Sequence, residues 1–148
     1  MQSSTAMNQY GLGNNYLPYI ETNETNKDRK PFFGIGKTSF LVYHRNKYIT
    51  VPTESIALFY IKFEATVIVT FDKQEYSVNY SLEQIQQLLS DQQFYRVNRQ
   101  YLINFNSIKE VEHYFARKLL VIPTIVFPDK LIVSKEKART FLDWLENR

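Results

Sequence analysis

The sequence contains no cysteine. That absence removes thiol catalysis, iron–sulfur clusters, cysteine-based zinc sites and disulfide staples, and it fits a reducing compartment. Histidine occurs only as His44 and His113, far apart in the chain, so metal hydrolysis by clustered ligands is disfavoured. There are 4 glycines, all before Thr38, and neither GxGxxG nor GxxxxGK followed by Ser or Thr occurs. Phosphate-cradling loops of the dinucleotide and P-loop kinds are thereby excluded. No apolar run approaches the ~20 residues that span a bilayer. The opening MQSSTAMNQYGLGNN has neither the basic region nor the apolar stretch of a secretory signal. A cytoplasmic protein that does not enter membranes is expected.

What is present is aromatic and β-branched. The 148 residues, enough for one ordinary domain, include Tyr 11 and Phe 11, a bias that favours strands. Net charge is only +3, but it is unevenly spread. From Phe40 to Phe94 four Lys/Arg face six Asp/Glu, whereas from Tyr95 to Arg139 nine face four. The second half is therefore suited to an anionic partner.

The chain divides near residue 37. Residues 1–37 are rich in Asn, Ser and Thr, hold all the glycines, and show no period of 2 or 3.6. They read as a flexible tail or linker, with Tyr16, Leu17, Tyr19 and Ile20 as an apolar cluster that could dock. Such a stretch is too short for a receiver module, so an upstream sensor or receiver is expected to be a separate protein or to have been cut away. From residue 38 onward strand patterns dominate. FLVYHRNKYITVP predicts two strands about His44–Lys47, and IALFYIKF and ATVIVTF flank the charged break Lys62-Phe63-Glu64. ATVIVTFDKQEYSVNY alternates as a hairpin about Asp72-Lys73-Gln74, and IKEVEHYF with KLLVIP predicts another turning near Ala116-Arg117. DKLIVSK is the last strand.

The period changes twice. Leu82, Ile85, Leu88 and Leu89 share one helical face after Ser81, an N-cap with Gln84 three residues on, which predicts a helix over 82–90. Ala138, Phe141, Leu142 and Leu145 recur at i, i+3, i+4 and i+7 after Ser134, which predicts a helix over 135–147 with that face in the core. The expected plan is mainly β, with one short internal helix and a C-terminal helix.

Three segments in this order resemble a known family. They are VPTESIALFYIKFEATVIVTFDKQEYSVNYSLEQIQQLL, FYRVNRQYLINFNSIKEV and LIVSKEKARTFLDWL, and the FYRVNRQYLIN run is the specific one. Over residues 38–148 the sequence resembles the LytTR-type DNA-binding domain of bacterial response regulators. The resemblance implies a transcription regulator whose loops enter successive major grooves of double-stranded DNA, at paired direct repeats in promoters, with a dimer on DNA as one arrangement. It implies a fold that is an elongated assembly of short, mostly antiparallel sheets, carries no cofactor and implies no enzyme. Groove-facing candidates transfer to Lys62-Phe63-Glu64, to Asn98-Arg99-Gln100 and to Lys135-Glu136. Asn98 stands where the commoner pattern has His, and Glu136 where some relatives have Arg, which leaves the DNA preference open.

The residue types suit that chemistry. Arg pairs bidentately with guanine O6 and N7, and Gln or Asn with adenine N6 and N7, so Arg99-Gln100 offers both kinds of reader side by side. Arg96, inside the strand pattern, is expected either to pin the loop or to touch a phosphate. Lys135 and Lys137 follow Ser134 at a helix start, where free backbone N–H groups favour phosphate. Lys62 is a weaker candidate because Glu64 beside it is an expected counter-charge. His113, Tyr114 and Arg117 resemble a catalytic cluster only superficially and belong at a hairpin tip, without an orienting carboxylate or a nucleophile motif. The alternative is an RNA- or protein-binding β module that exposes its aromatics on the same basic face. The two diverge at Tyr95 and Tyr101, which the duplex reading puts in the core.

Overall fold

A computed structural model describes residues 36–148. The tail expected before residue 38 lies outside the described residues except for Gly36 and Lys37. Those two are tied to the domain: Gly36 bridges to Leu89, and the Lys37 amide donates to the Leu88 carbonyl at 2.7 Å. Gly36 has φ +73, and a Cβ there would lie 2.6 Å from the Ser90 nitrogen, so a side chain does not fit.

Among the described residues, strands β1 (Ser39–His44) and β2 (Lys47–Pro52) pair in register Phe40↔Val51. They are followed by β3 (Ile56–Lys62), β4 (Ala65–Thr70) and β5 (Glu75–Val78). Helix α1 (Leu82–Leu88) leads into β6 (Phe94–Asn98) and β7 (Tyr101–Asn104). Strands β8 (Ile108–Tyr114), β9 (Lys118–Pro123) and β10 (Leu131–Val133) precede α2 (Lys135–Glu146). All pairings are antiparallel, in a two-stranded sheet, a five-stranded sheet of order β5-β4-β3-β7-β6, and a three-stranded sheet of order β10-β9-β8.

The five-stranded sheet is the middle layer. Strand alternation sends Phe59, Ile68 and Leu102 to one face, where they meet Phe40, Val42 and Val51 of the β1–β2 hairpin and Leu82 and Ile85 of α1. Leu58, Tyr60, Val67, Val69, Tyr101 and Ile103 go to the other, against Leu119, Val121 and Leu131 of the three-stranded sheet and Phe141 of α2. Covering on both faces explains why IALFY, residues 56–60, is an unbroken apolar run with every member buried.

Both predicted helices form, with three departures. Ser81 makes a full capping box: its Oγ accepts from the Gln84 amide at 3.1 Å, and Gln84 Oε1 accepts from the Ser81 amide at 2.9 Å. Ser134 sits at the N-cap of α2 but makes no side-chain cap bond. The apolar face of α2 is also narrower than its spacing predicts. Phe141 is fully buried, Ala138 and Leu145 are half-buried, and Leu142 is 41% exposed, because the sheet reaches only the Phe141 side. Leu88 of α1 likewise stays exposed while Leu82, Ile85 and Leu89 are buried.

Candidate nucleic-acid interface

The register brings two turns to one end of the middle sheet. Strands β3 and β7 pair through Leu58↔Ile103 and Tyr60↔Tyr101, so the end of β3 lies beside the start of β7. The Ile61 amide continues this pairing by donating to the Gln100 carbonyl at 3.2 Å. The β3–β4 turn, Phe63-Glu64, and the β6–β7 turn, Arg99-Gln100, are therefore neighbours.

The β6–β7 turn is held from behind by its own strand. Between Arg96 and Asn98 the ladder takes in one extra residue, Val97, whose side chain is fully buried. Such a bulge turns the following side chains relative to the regular pleat. Arg96 Nε donates to the Asn98 carbonyl at 2.9 Å, and its terminal nitrogens donate to the Arg99 carbonyl at 2.7 Å and to Gln86 Oε1 at 3.3 Å. Glu83 lies 3.6 Å from the same guanidinium. Asn98 Oδ1 accepts from the Gln100 amide at 2.9 Å, an Asx-type turn, while Nδ2 donates to the Ile132 carbonyl at 2.9 Å. Arg96 and Asn98 thus use their polar atoms inside the domain. Arg99 and Gln100, at the tip, have exposed side chains.

The bond from Asn98 to Ile132 also links the loop to β10, and α2 begins three residues beyond Ile132. Lys137 and Thr140 of α2 share an open groove with Arg99, Arg96, Gln86 and Trp144. Lys135 is exposed at the helix start and does not line that groove. Gln86 and Thr140 carry no sequence signal for this placement; each occupies a polar position on the solvent side of a helix. Lys62, at the edge of the β3–β4 turn, finds its counter-charge in Glu75 across the sheet at 3.5 Å, not in the adjacent Glu64. The neighbouring Tyr60 phenol and the Glu75 carboxylate raise the Lys62 pKa above the ordinary lysine value, so its charge persists through the neutral range.

Beneath these turns the aromatics are packed. Tyr60 and Tyr101 stack at 5.9 Å between ring centres, both buried, and Phe127 meets each edge-on. The Tyr101 hydroxyl donates to Asp129 Oδ2 at 2.6 Å, and burial together with that carboxylate pushes its phenol well above the ordinary value. Tyr95 packs on Phe141 and Trp144 at 5.2 and 4.9 Å. Tyr101 is not a surface platform for unpaired bases, and Tyr95 is half-buried and lines the groove. Asn104, which closes the FYRVNRQYLIN run, is buried and structural: Nδ2 donates to the Ile56 carbonyl at 2.8 Å, and Oδ1 accepts from Gln93 and the Asn106 amide. His113, Glu110 and Glu112 are exposed on β8, away from these turns in sequence and in sheet. No helix among the described residues is long and apolar enough to cross a membrane.

Comparison with known proteins agrees with this architecture. Residues 46–146 match the family model for the LytTr DNA-binding domain. A solved structure from Bacillus cereus, the LytTr DNA-binding domain of a protein described as a methyl-accepting/DNA response regulator, superposes with a TM-score of 0.64. It is 23% identical, and the alignment covers 74% of this chain and 98% of that one. No curated protein sequence matches.

Proposed function

The chain belongs to the LytTr DNA-binding domain family, and on that premise we propose that it binds double-stranded DNA sequence-specifically and regulates transcription without catalysis or a cofactor. The observation that carries this reading is the division of labour at the β6–β7 turn. Arg96 and Asn98 fix the loop through four bonds to protein atoms, and Arg99 and Gln100 project from it with their forked and planar donors exposed. Readers of base edges need this combination, since a bidentate pair discriminates only if its backbone is held. In this reading Arg99 and Gln100 contact base edges. Lys62, Lys135 and Lys137 contact phosphates, and Arg96 and Asn98 act as positioning residues. Paired direct repeats and a dimer on DNA would follow if two such domains sit side by side.

Within the FYRVNRQYLIN run the buried Tyr101 supports a duplex over single-stranded RNA stacked on that run, since stacking needs an exposed ring. Selecting bound sites from a random duplex library tests the proposal. Recovery of one short motif, bound more tightly than random duplex and than either single strand, is the expected result. Equal retention of all duplexes, or preference for single strands, would refute it.

A further inference from the structure

An unbroken apolar strand calls for cover on both faces, as IALFY has. Strand β9 reads KLLVIP and β10 reads LIV, also without alternation, yet only one face of their sheet is covered. Leu119, Val121, Leu131 and Val133 enter the core. Leu120, Ile122 and Ile132 point away from it, join neither hydrophobic cluster and stay half-exposed. Opposite Leu120 and Ile122 on the ladder stand Glu112 and Glu110, exposed and without an ion pair among the described residues. The lysines of this sheet lie against its own rings: Lys118 Nζ is 4.8 Å from the centre of Phe115, and Lys130 Nζ 5.9 Å from that of Tyr114. The outer face is therefore apolar with an acidic side.

A second uncovered apolar face lies on the opposite side of the middle sheet. Alternation in the β1–β2 hairpin turns Phe40, Val42 and Val51 inward and sends Leu41, Tyr43 and Tyr48 outward, where they are 60, 60 and 64% exposed. The Tyr43 and Tyr48 rings meet across the strands at 5.1 Å, so the three make one patch, and contiguous apolar surface on a small domain marks an interaction site. Arg45 and Lys47 at the hairpin tip are exposed and make no ion pair among the described residues. This patch is apolar with a basic side. A two-fold contact through either patch would set like charges together, whereas each patch matches the other in both polarity and charge. One molecule cannot join them, because the middle sheet lies between. We infer that copies of this chain associate head to tail, the hairpin face of one seated on the outer face of the β8–β10 sheet of the next. The contact is sheet on sheet and heterologous. It goes beyond the duplex reading above and requires no DNA.

Sedimentation of the full chain over a range of concentrations, without DNA, tests this. The parent's sedimentation coefficient should rise with concentration. Tyr48→Asp blocks the hairpin face and Leu120→Asp the sheet face, and each variant alone should stay a monomer throughout. Their equimolar mixture should form dimers and nothing larger, because each partner keeps one usable face. Glu110→Lys combined with Glu112→Lys changes only exposed positions and serves if Leu120→Asp fails to fold. That double variant should associate only at about fivefold higher concentration, the worth of one surface ion pair. A parent that remains monomeric overturns the proposal. So does a dimer formed by either blocked variant alone, which would mean a two-fold contact through its intact face, and so does association indifferent to the paired lysines. Since no arm contains DNA, failure here leaves the duplex reading standing, and an empty site selection leaves this contact standing.

Discussion

Arg96 and Arg99 are three residues apart in one turn, yet their replacement should have opposite consequences. Arg96→Ala removes two bonds from a guanidinium to the carbonyls of Asn98 and Arg99, at 2.9 and 2.7 Å, and a longer one to Gln86. Bonds to a charged group contribute about 1.5–3 kcal/mol each when buried. Here the two carbonyls sit at an exposed turn, where water can replace the donor, so the lower end applies to each. The ion pair to the largely exposed Glu83 adds little. The sum is about 3 kcal/mol, a fall in Tm of roughly 12 °C for a domain of this size. Arg99→Ala removes an exposed side chain and should leave Tm within about 2 °C, since such surface changes stay within about 0.5 kcal/mol. On DNA the order inverts in character. Arg99→Ala should lower the ratio of motif to random-duplex affinity by about 5- to 150-fold with little change on random duplex, the worth of one bidentate base contact. Arg96→Lys, with the charge but not the fork, should behave like Arg96→Ala. Thermal melts and paired binding titrations decide the matter. A normal Tm for Arg96→Ala with a depressed one for Arg99→Ala would refute the assignment, as would full rescue by Arg96→Lys.

Three further outcomes are expected. Lys135→Ala should weaken motif and random duplex equally and make the log–log salt slope shallower by about one unit; a change in their ratio would make Lys135 a base reader instead. Phe141→Ala should cost about 3–5 kcal/mol in denaturant unfolding and Leu142→Ala less than about 1, because only the first ring is enclosed; equal losses would mean that the exposed side of α2 is covered after all. Tyr101 has its pKa raised by burial and by Asp129, so the folded state holds its proton to higher pH than the unfolded chain does. Its contribution is complete below pH ~10, the unfolded value, and falls by about 1.4 kcal/mol per pH unit above it. Stability of Tyr101→Phe measured by denaturant from pH 9 to 11.5 should decline less steeply than the parent's by that slope, and parallel curves would contradict the cause assigned.

The fold was legible wherever a face is covered on one side only or on both. Alternation in EYSV, the unbroken run of IALFY and the change of period at Ser81 each correspond to a definite exposure, whereas ATVIVTF alternates in sequence but is buried from Thr66 to Thr70 because both faces of its strand are covered. The α2 face misled because helical spacing records which residues are apolar, not how far the partner extends. Leu142 lies on the arc next to Phe141, and the sheet ends before reaching it. Ser134 misled differently. An N-cap position can be recognised from residue type, but whether its hydroxyl turns to the helix depends on neighbours that the local sequence does not name.

The candidate site was legible as a segment and not as roles. FYRVNRQYLIN marks a basic run between hydrophobic flanks, and in such a run Arg96, Asn98, Arg99 and Gln100 are chemically interchangeable as donors. What separates them is the extra residue Val97 in β6, which breaks strict alternation at that point. Period 2 continued through Val97 would put Arg96 and Asn98 on one side of the strand and give them one fate. The bulge instead lets Arg96 turn back along the strand to hold the carbonyls of Asn98 and Arg99, while Asn98 caps the Gln100 amide and reaches the Ile132 carbonyl. The last of these partners is 34 residues away in sequence, so no local pattern could announce it. Two donors are occupied by this tertiary arrangement, and the two that remain exposed are those at the tip. A basic motif therefore becomes a directed one only when the fold decides which of its charges are satisfied internally. Here the bulge at Val97, with the bond from Asn98 to a strand of the other sheet, makes the decision.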